Sequence, residues 1–209
     1  AGAAARGPAG HRRQGGTALA AGGAHADLWS IVGPAPEASF AQLGAEEGNR
    51  AVFRADPNVG GRYGALTAFV LVPSALGEAD VELLLDQAAS LKPRLHGDDN
   101  PGLQLGAALG ADRRNKIVIV GDTLPGFGDW AEQLIAESTG KHGSGLLPVV
   151  AEEGAPETES PAADVHVISV CGQAPPLGTL VEGNLGQQLL LWEYATAISG
   201  RLLGVNPFH

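Results

Sequence analysis

Two short segments hold residues whose types and spacing can do chemistry. The first, Asp56-Pro57-Asn58-Val59-Gly60-Gly61-Arg62-Tyr63, sets an arginine directly after two glycines. Paired glycines permit positive φ and a close approach of backbone to a ligand, and an arginine at a helix start projects a fixed fork of donors towards an anion. Read for chemistry, Arg62 is an anion clamp with Gly61 beside the bound molecule; read blandly, it is a surface arginine on a turn. The second, Glu137-Ser138-Thr139-Gly140-Lys141, ends a helical stretch. Glu137 there can serve as a general base. Its bland reading is a solvated pair with Lys141 four residues on, worth about 0.2–0.5 kcal/mol.

Other residue types offer less. Gly186-Gln187-Gln188 carries no group that titrates near neutral pH, and Gln188 reads either as a ligand contact or as a residue on a helix surface. Cys171 is the single cysteine, so no internal disulfide forms, and its place after Val167-Ile168-Ser169-Val170 predicts an inert thiol in a buried strand. The six histidines show no zinc-motif spacing, and neither a metal nor a cofactor is expected.

The elements that must position these residues follow from the apolar pattern. The 209 residues are 44% hydrophobic, sufficient for a packed core. Residues 1–24 are mostly Ala, Gly and Arg and are expected to remain an unpacked tail. From Asp27 onward strands alternate with helices: strands at Leu28–Val32 and Ala51–Phe53, with a helix capped by Ser39 between them. An apolar helical region follows at Ala65–Leu76, kinked or split by Pro73. Asp80 caps the next helix, and a short one covers Leu103–Leu109. Lys116–Val120 reads as a strand, and Asp129 as the cap of a helix reaching Glu137. Two more strands lie at Leu146–Val150 and Val165–Val170, separated by a surface loop from Glu152 to Asp164, and a final helix spans Leu185–Leu203. Strands apolar on both faces and alternating with helices predict an α/β fold with a parallel sheet flanked by helices.

A net charge of −10, from 23 acidic and 13 basic residues, removes the long-range attraction that nucleic-acid binders use, so no nucleic-acid partner is expected. No apolar run reaches membrane-spanning length, and a soluble protein with no membrane association is the expectation.

The quoted segments resemble those of the glucose-6-phosphate isomerase family: its Gly-Gly-Arg-Phe/Tyr signature at 60–63 and its Glu-Ser-x-Gly-Lys segment at 137–141. Asn100-Pro101-Gly102, Gly126-Phe127-Gly128-Asp129-Trp130, Glu132-Gln133-Leu134-Ile135 and Leu203-Gly204-Val205-Asn206-Pro207-Phe208 extend the resemblance over about residues 27–208. It implies an incomplete three-layer sugar-isomerase sandwich: residues 25–64 as the end of a first sugar-isomerase domain and 65–209 as a second one, truncated at its C-terminus. It implies conversion of glucose 6-phosphate to fructose 6-phosphate through a cis-enediol, with Glu137 moving the proton and Arg62 stabilising the intermediate. The resemblance further implies a sugar-phosphate partner contacted by Gly61 and Gln188, a cytoplasmic setting, and a homodimer as the assembly open to the complete protein.

The chain departs from the family pattern at several points. Gln188 stands where many members have a histidine implicated in ring opening, a feature shared with isomerase modules fused to transaldolase, which Trp192-Glu193-Tyr194-Ala195-Thr196-Ala197 also resembles. Gly64 replaces a usual serine and Val70 a usual glycine. The Ser/Thr-rich phosphate loop and the later lysine of the family have no counterpart here, so the isolated chain is expected to turn over little or no substrate. A non-catalytic sugar-phosphate-binding module and the isomerase half of a transaldolase fusion remain the competing readings.

Overall fold

The structure is a computed structural model and describes residues 17–20, 29–32, 53, 56, 58–111, 114–121 and 123–208. The chain divides into two units, Ala1–Arg54 and Ala55–His209. In the first, β1 (Thr17–Ala20) and β2 (Trp29–Val32) form an antiparallel pair with Thr17 opposite Val32. The stretch expected as an unpacked tail thus contains a strand: a TALA tetrapeptide with little apolar bulk is still extended where a neighbouring backbone satisfies its amides. The helix expected after Ser39 and most of the strand expected at Ala51–Phe53 lie outside the described residues, and Phe53 itself has no regular structure.

The second unit begins with a 3₁₀ turn, Gly61–Tyr63, and continues through α1 (Ala68–Leu76), α2 (Val81–Leu95), α3 (Pro101–Gly110), β3 (Lys116–Val120), α4 (Phe127–Thr139), β4 (Leu147–Ala151), α5 (Pro156–Glu159), β5 (Val165–Val170), β6 (Gly178–Val181) and α6 (Leu185–Leu203). The four strands form one parallel sheet in the order β4-β3-β5-β6. This is the expected α/β fold, a parallel sheet flanked by helices. Because successive side chains of a strand point to opposite faces, β3 and β5 serve two cores. Ile117, Ile119, Ile168 and Val170 join the larger cluster under the helices, while Val118, Val120 and Val167 form a smaller one.

Local chemistry accounts for most boundaries. The Asp80 carboxylate accepts from Leu83 N at 2.9 Å, and Asn100 caps α3 through Gly102 N and Leu103 N at 2.9 and 3.1 Å. Asn184 and Gln187 close a capping box at the start of α6, and Gly204 ends that helix at φ 73°. Several expectations shift. α1 starts at Ala68 and carries Pro73 within one continuous helix. Asp129 lies in the first turn of α4, whose N-cap is Gly126. The expected Glu152–Asp164 loop contains α5, and the expected strands did not include β6. Cys171 falls just beyond β5, half-buried at φ 54°, with its thiol donating to Gly183 O at 2.9 Å.

α6 is the spine of the unit, making its broadest contacts with α3 and α2. The approach to α3 depends on a ridge of glycines four residues apart. A Cβ at Gly102, Gly106 or Gly110 would come within 2.4 Å of Tyr194, 2.7 Å of Ile198 and 2.7 Å of Ser199, respectively. Absent side chains let the two helix backbones nest. Among the described residues, no helix is long and apolar enough to cross a membrane.

Candidate active site

A helix joining two parallel strands runs back along the sheet, so the end of α4 lies at the amino edge of β4; Leu146 N, just before that strand, donates to Thr139 Oγ1 at 3.0 Å. Glu137, Ser138 and Thr139 form the last turn of α4. The 3₁₀ turn Gly61–Tyr63 meets this end, and so does the segment that follows α6.

Arg62 ties the three together. Its Nε donates to Ser138 Oγ at 3.0 Å, its Nη2 to Pro207 O at 2.7 Å, and its Nη1 stands 3.5 Å from Glu137 Oε2. The Tyr63 ring stacks at a tilt on Phe208, with centroids 5.0 Å apart. Planar donors fixed at three points hold the guanidinium in one orientation, which a lysine could not reproduce. The Arg62 side chain is only 14% exposed whereas that of Glu137 is 51% exposed. The pair is therefore an enclosed cation beside a carboxylate that a solute can reach.

Each expected site residue has a definite place. Glu137 Oε1 accepts from Gln133 Nε2 at 3.0 Å, one helical turn back. Lys141 does not pair with that carboxylate. Its Nζ donates to the backbone oxygens of Glu137 and Ser138 at 2.8 and 2.7 Å, satisfying carbonyls that the helix end leaves open. Burial lowers the Lys141 pKa, Arg62 lowers it further, and Glu137 opposes both. Gly60 is extended at φ −65°, so its place in the turn does not use positive φ. Nor does packing require either glycine: a Cβ on Gly61 would meet nothing within 4 Å, and one on Gly60 would make an ordinary contact with Arg62 Nη1 at 3.6 Å.

Gln188 is neither on a helix surface nor brought to Arg62 by any hydrogen bond. It is fully buried in α6, with Nε2 donating to Val181 O at 3.2 Å and Oε1 accepting from Trp192 Nε1 at 3.0 Å. A substrate atom contacting it would have to displace one of these partners. Ser138, Pro207 and Gln133 completed the site without being singled out for chemistry, although all three lie inside the sequence segments that carried the resemblance.

A cavity of about 480 Å³ lies elsewhere, at the carboxyl ends of β3 and β4, lined by Gly121, Val150, Ala151, Glu152 and Glu153. Open parallel sheets commonly bind ligands at that end. Here it presents two carboxylates and does not include Arg62 or Glu137, which lie at the opposite edge of the sheet.

No family model matches the chain. Named relatives do. A glucose-6-phosphate isomerase of Leptospira biflexa is 27% identical over 78% of this chain and 51% of its own length. One of Rubrobacter xylanophilus is 27% identical over 86% of this chain and 56% of its own. One of Methanocaldococcus jannaschii reaches 33% identity over 51% of this chain and 28% of its own. Among solved structures, a hypothetical protein from Thermus thermophilus superposes with a TM-score of 0.69 at 20% identity, covering 85% of this chain and 57% of that one, which bears on the fold alone. The chain spans about half the length of the first two relatives, and at these identities its relation to the glucose-6-phosphate isomerases is one of family level.

Proposed function

We propose that this chain carries the proton-transfer centre of a glucose-6-phosphate isomerase, with Glu137 as the base and Arg62 as the stabiliser of the intermediate. The single observation that supports it is the 3.5 Å approach of Arg62 Nη1 to Glu137 Oε2, brought about by three separate segments of the second unit. In the open-chain sugar phosphate, Glu137 takes the proton from carbon 2 of the aldose. The electron pair forms the carbon–carbon double bond, and the carbonyl electrons move onto oxygen 1 as an enediolate. The rigid Arg62 donors face that developing charge, where their effect is greatest in the transition state. Return of the proton to carbon 1, with transfer of the hydroxyl proton between the two oxygens, gives the ketose. No redox partner is required.

The experiment is wash-in of solvent deuterium at carbon 1 of fructose 6-phosphate by the complete isomerase polypeptide that contains these residues. Wash-in lost in Glu137→Gln and depressed in Arg62→Ala supports the reading. Wash-in at the unmodified rate in Glu137→Gln overturns it.

The second reading, a sugar-phosphate-binding module without turnover, is favoured by Gln188: its amide cannot act as acid or base, and both its ends are engaged in the core. Binding of fructose 6-phosphate without any wash-in would select it. In either reading the chain works on an anionic sugar in the cytoplasm.

A further inference from the structure

α6 keeps a glycine one turn before its end, at Gly200, although glycine is among the poorest helix formers and Gly204, at φ 73°, already supplies the freedom that a helix C-terminus needs. The turn that follows is closed through Gly200: its carbonyl accepts from Val205 N–H at 2.9 Å, and that of Arg201 accepts from Gly204 N–H at 3.3 Å. Any residue could provide those oxygens. What glycine alone provides is space, because a Cβ on Gly200 would stand 3.0 Å from Pro207 Cβ and 3.1 Å from both Pro207 Cγ and Cδ. Both residues are buried. A proline ring has no rotamer by which to withdraw, since it fixes its own φ, so displacing the ring carries the Pro207 backbone with it. That backbone bears the carbonyl oxygen to which Arg62 Nη2 donates at 2.7 Å. The next residue belongs to the same device: Phe208 N–H donates to Asn206 Oδ1 at 3.0 Å, and the Phe208 ring meets Tyr63 with centroids 5.0 Å apart.

We infer that Gly200 is a positioning residue for Arg62: its bare Cα seats the Pro207 ring against α6, and so sets the place of the carbonyl that fixes one arm of the guanidinium. The other nitrogens, Nε and Nη1, are directed to Ser138 and Glu137 at the end of α4. The guanidinium thus bridges two helix ends, and the gap it spans is set by how closely Pro207 sits on Gly200. With that acceptor displaced, a rigid planar fork cannot keep Nη2 on Pro207 and Nε on Ser138 together in good geometry. The consequence for turnover rests on the proposed isomerase reading; the seat itself does not.

The test is NMR of the 209-residue chain labelled with ¹³C,¹⁵N-arginine, following rotation about the Arg62 Nε–Cζ bond, which interchanges Nη1 and Nη2 and is slowed while Pro207 holds one of them. Arg62→Lys identifies the signal by its loss. Gly200→Ala should speed the interchange at least threefold, and Gly200→Val at least tenfold. Gly106→Ala, which crowds Ile198 and the Ala195 carbonyl of the same helix instead, should leave it within twofold of the parent. Should neither Gly200 variant fold, Pro207→Ala, which removes the ring and keeps the carbonyl, takes their place with the threefold expectation. An interchange sped less than threefold in folded Gly200→Ala, or sped as much by Gly106→Ala, overturns the proposal. In the complete polypeptide, on the isomerase reading, Gly200→Ala should lower kcat at least threefold with KM changed less than twofold. Faster interchange with kcat intact would leave the seat standing and remove Arg62 from catalysis.

Discussion

Lys141 and Glu137 are four residues apart, yet the lysine ignores the carboxylate and donates to the Glu137 backbone oxygen at 2.8 Å. That choice shapes the site. The lysine neutralises the carbonyl end of α4, where a cation is favoured by the helix dipole, and leaves the Glu137 side chain to Gln133 and Arg62. The bland Glu–Lys ion pair that the spacing allows is not the one that forms.

The two residues should therefore separate on mutation. On the proposed isomerase reading, Glu137→Gln is expected to lower kcat by roughly 10²–10⁴ with KM nearly unchanged, the usual contribution of a positioned base. Lys141→Met should instead cost about 0.3–1 kcal/mol of stability through the helix end. Steady-state kinetics and urea titration of both variants make the comparison, and a kcat loss in Lys141→Met as large as in Glu137→Gln would show that the lysine takes part in the chemistry.

Arg62→Lys is not a conservative change here. One ammonium cannot meet Ser138 Oγ, Pro207 O and Glu137 Oε2 from the positions the guanidinium fork occupies. Leaving the part-buried Ser138 and Pro207 acceptors short of a donor should cost about 1–3 kcal/mol in urea denaturation. The ion pair adds little to this because Glu137 is half exposed. A variant as stable as the parent would mean that the lysine finds all three partners.

How much of this was legible depended on how local each cause is. Asp80 announced its helix because a cap acts within three residues of itself, whereas Asp129, read the same way, lies inside the first turn of a helix that starts at Phe127. The apolar run Lys116–Val120 could only be an interior strand. β6 was not legible, because Gly178-Thr179-Leu180-Val181 becomes a strand only by pairing with Val167–Val170. The burial of Gln188 did leave a signal: Gln188, Trp192, Ala195, Thr196 and Ser199 share one helical face, and all are buried. The destination of the Lys141 amine was not readable, since the same spacing reaches either the carboxylate or the carbonyl four residues back. Pro207 enters the site through a backbone oxygen, an atom every residue has.

The glycine ridge on α3 predicts a contrast within one residue type. In Gly106→Ala the new Cβ would stand 2.7 Å from Ile198 and 2.9 Å from the Ala195 backbone oxygen, neither able to move freely inside α6. Overpacking of about 1–3 kcal/mol should outweigh the roughly 1 kcal/mol that alanine gains over glycine in a helix. Gly61→Ala meets nothing within 4 Å and should be close to neutral. Denaturant midpoints decide the matter, and equal midpoints for the two variants would refute the close approach of α3 to α6.

Stability should also depend on pH through Glu193. Burial pushes its pKa up from 4.5 to about 8, opposed by the Ala65 N–H. The folded chain therefore binds a proton that the unfolded chain releases near pH 4.5. The resulting contribution is fully present below that pH and is lost as pH rises through about 8. Tyr63, the titratable group facing Glu193 from the turn, is itself raised above 10 by burial, so its own ionisation lies beyond this window. Melting temperature should fall between about pH 5 and 8.5, by about 2–4 °C for each kcal/mol lost in a chain of this size. Glu193→Gln, neutral throughout, should flatten that descent and surpass the parent at the alkaline end. Parallel melting profiles for parent and Gln variant across the range would show that the Glu193 carboxyl titrates alike in the folded and unfolded chains.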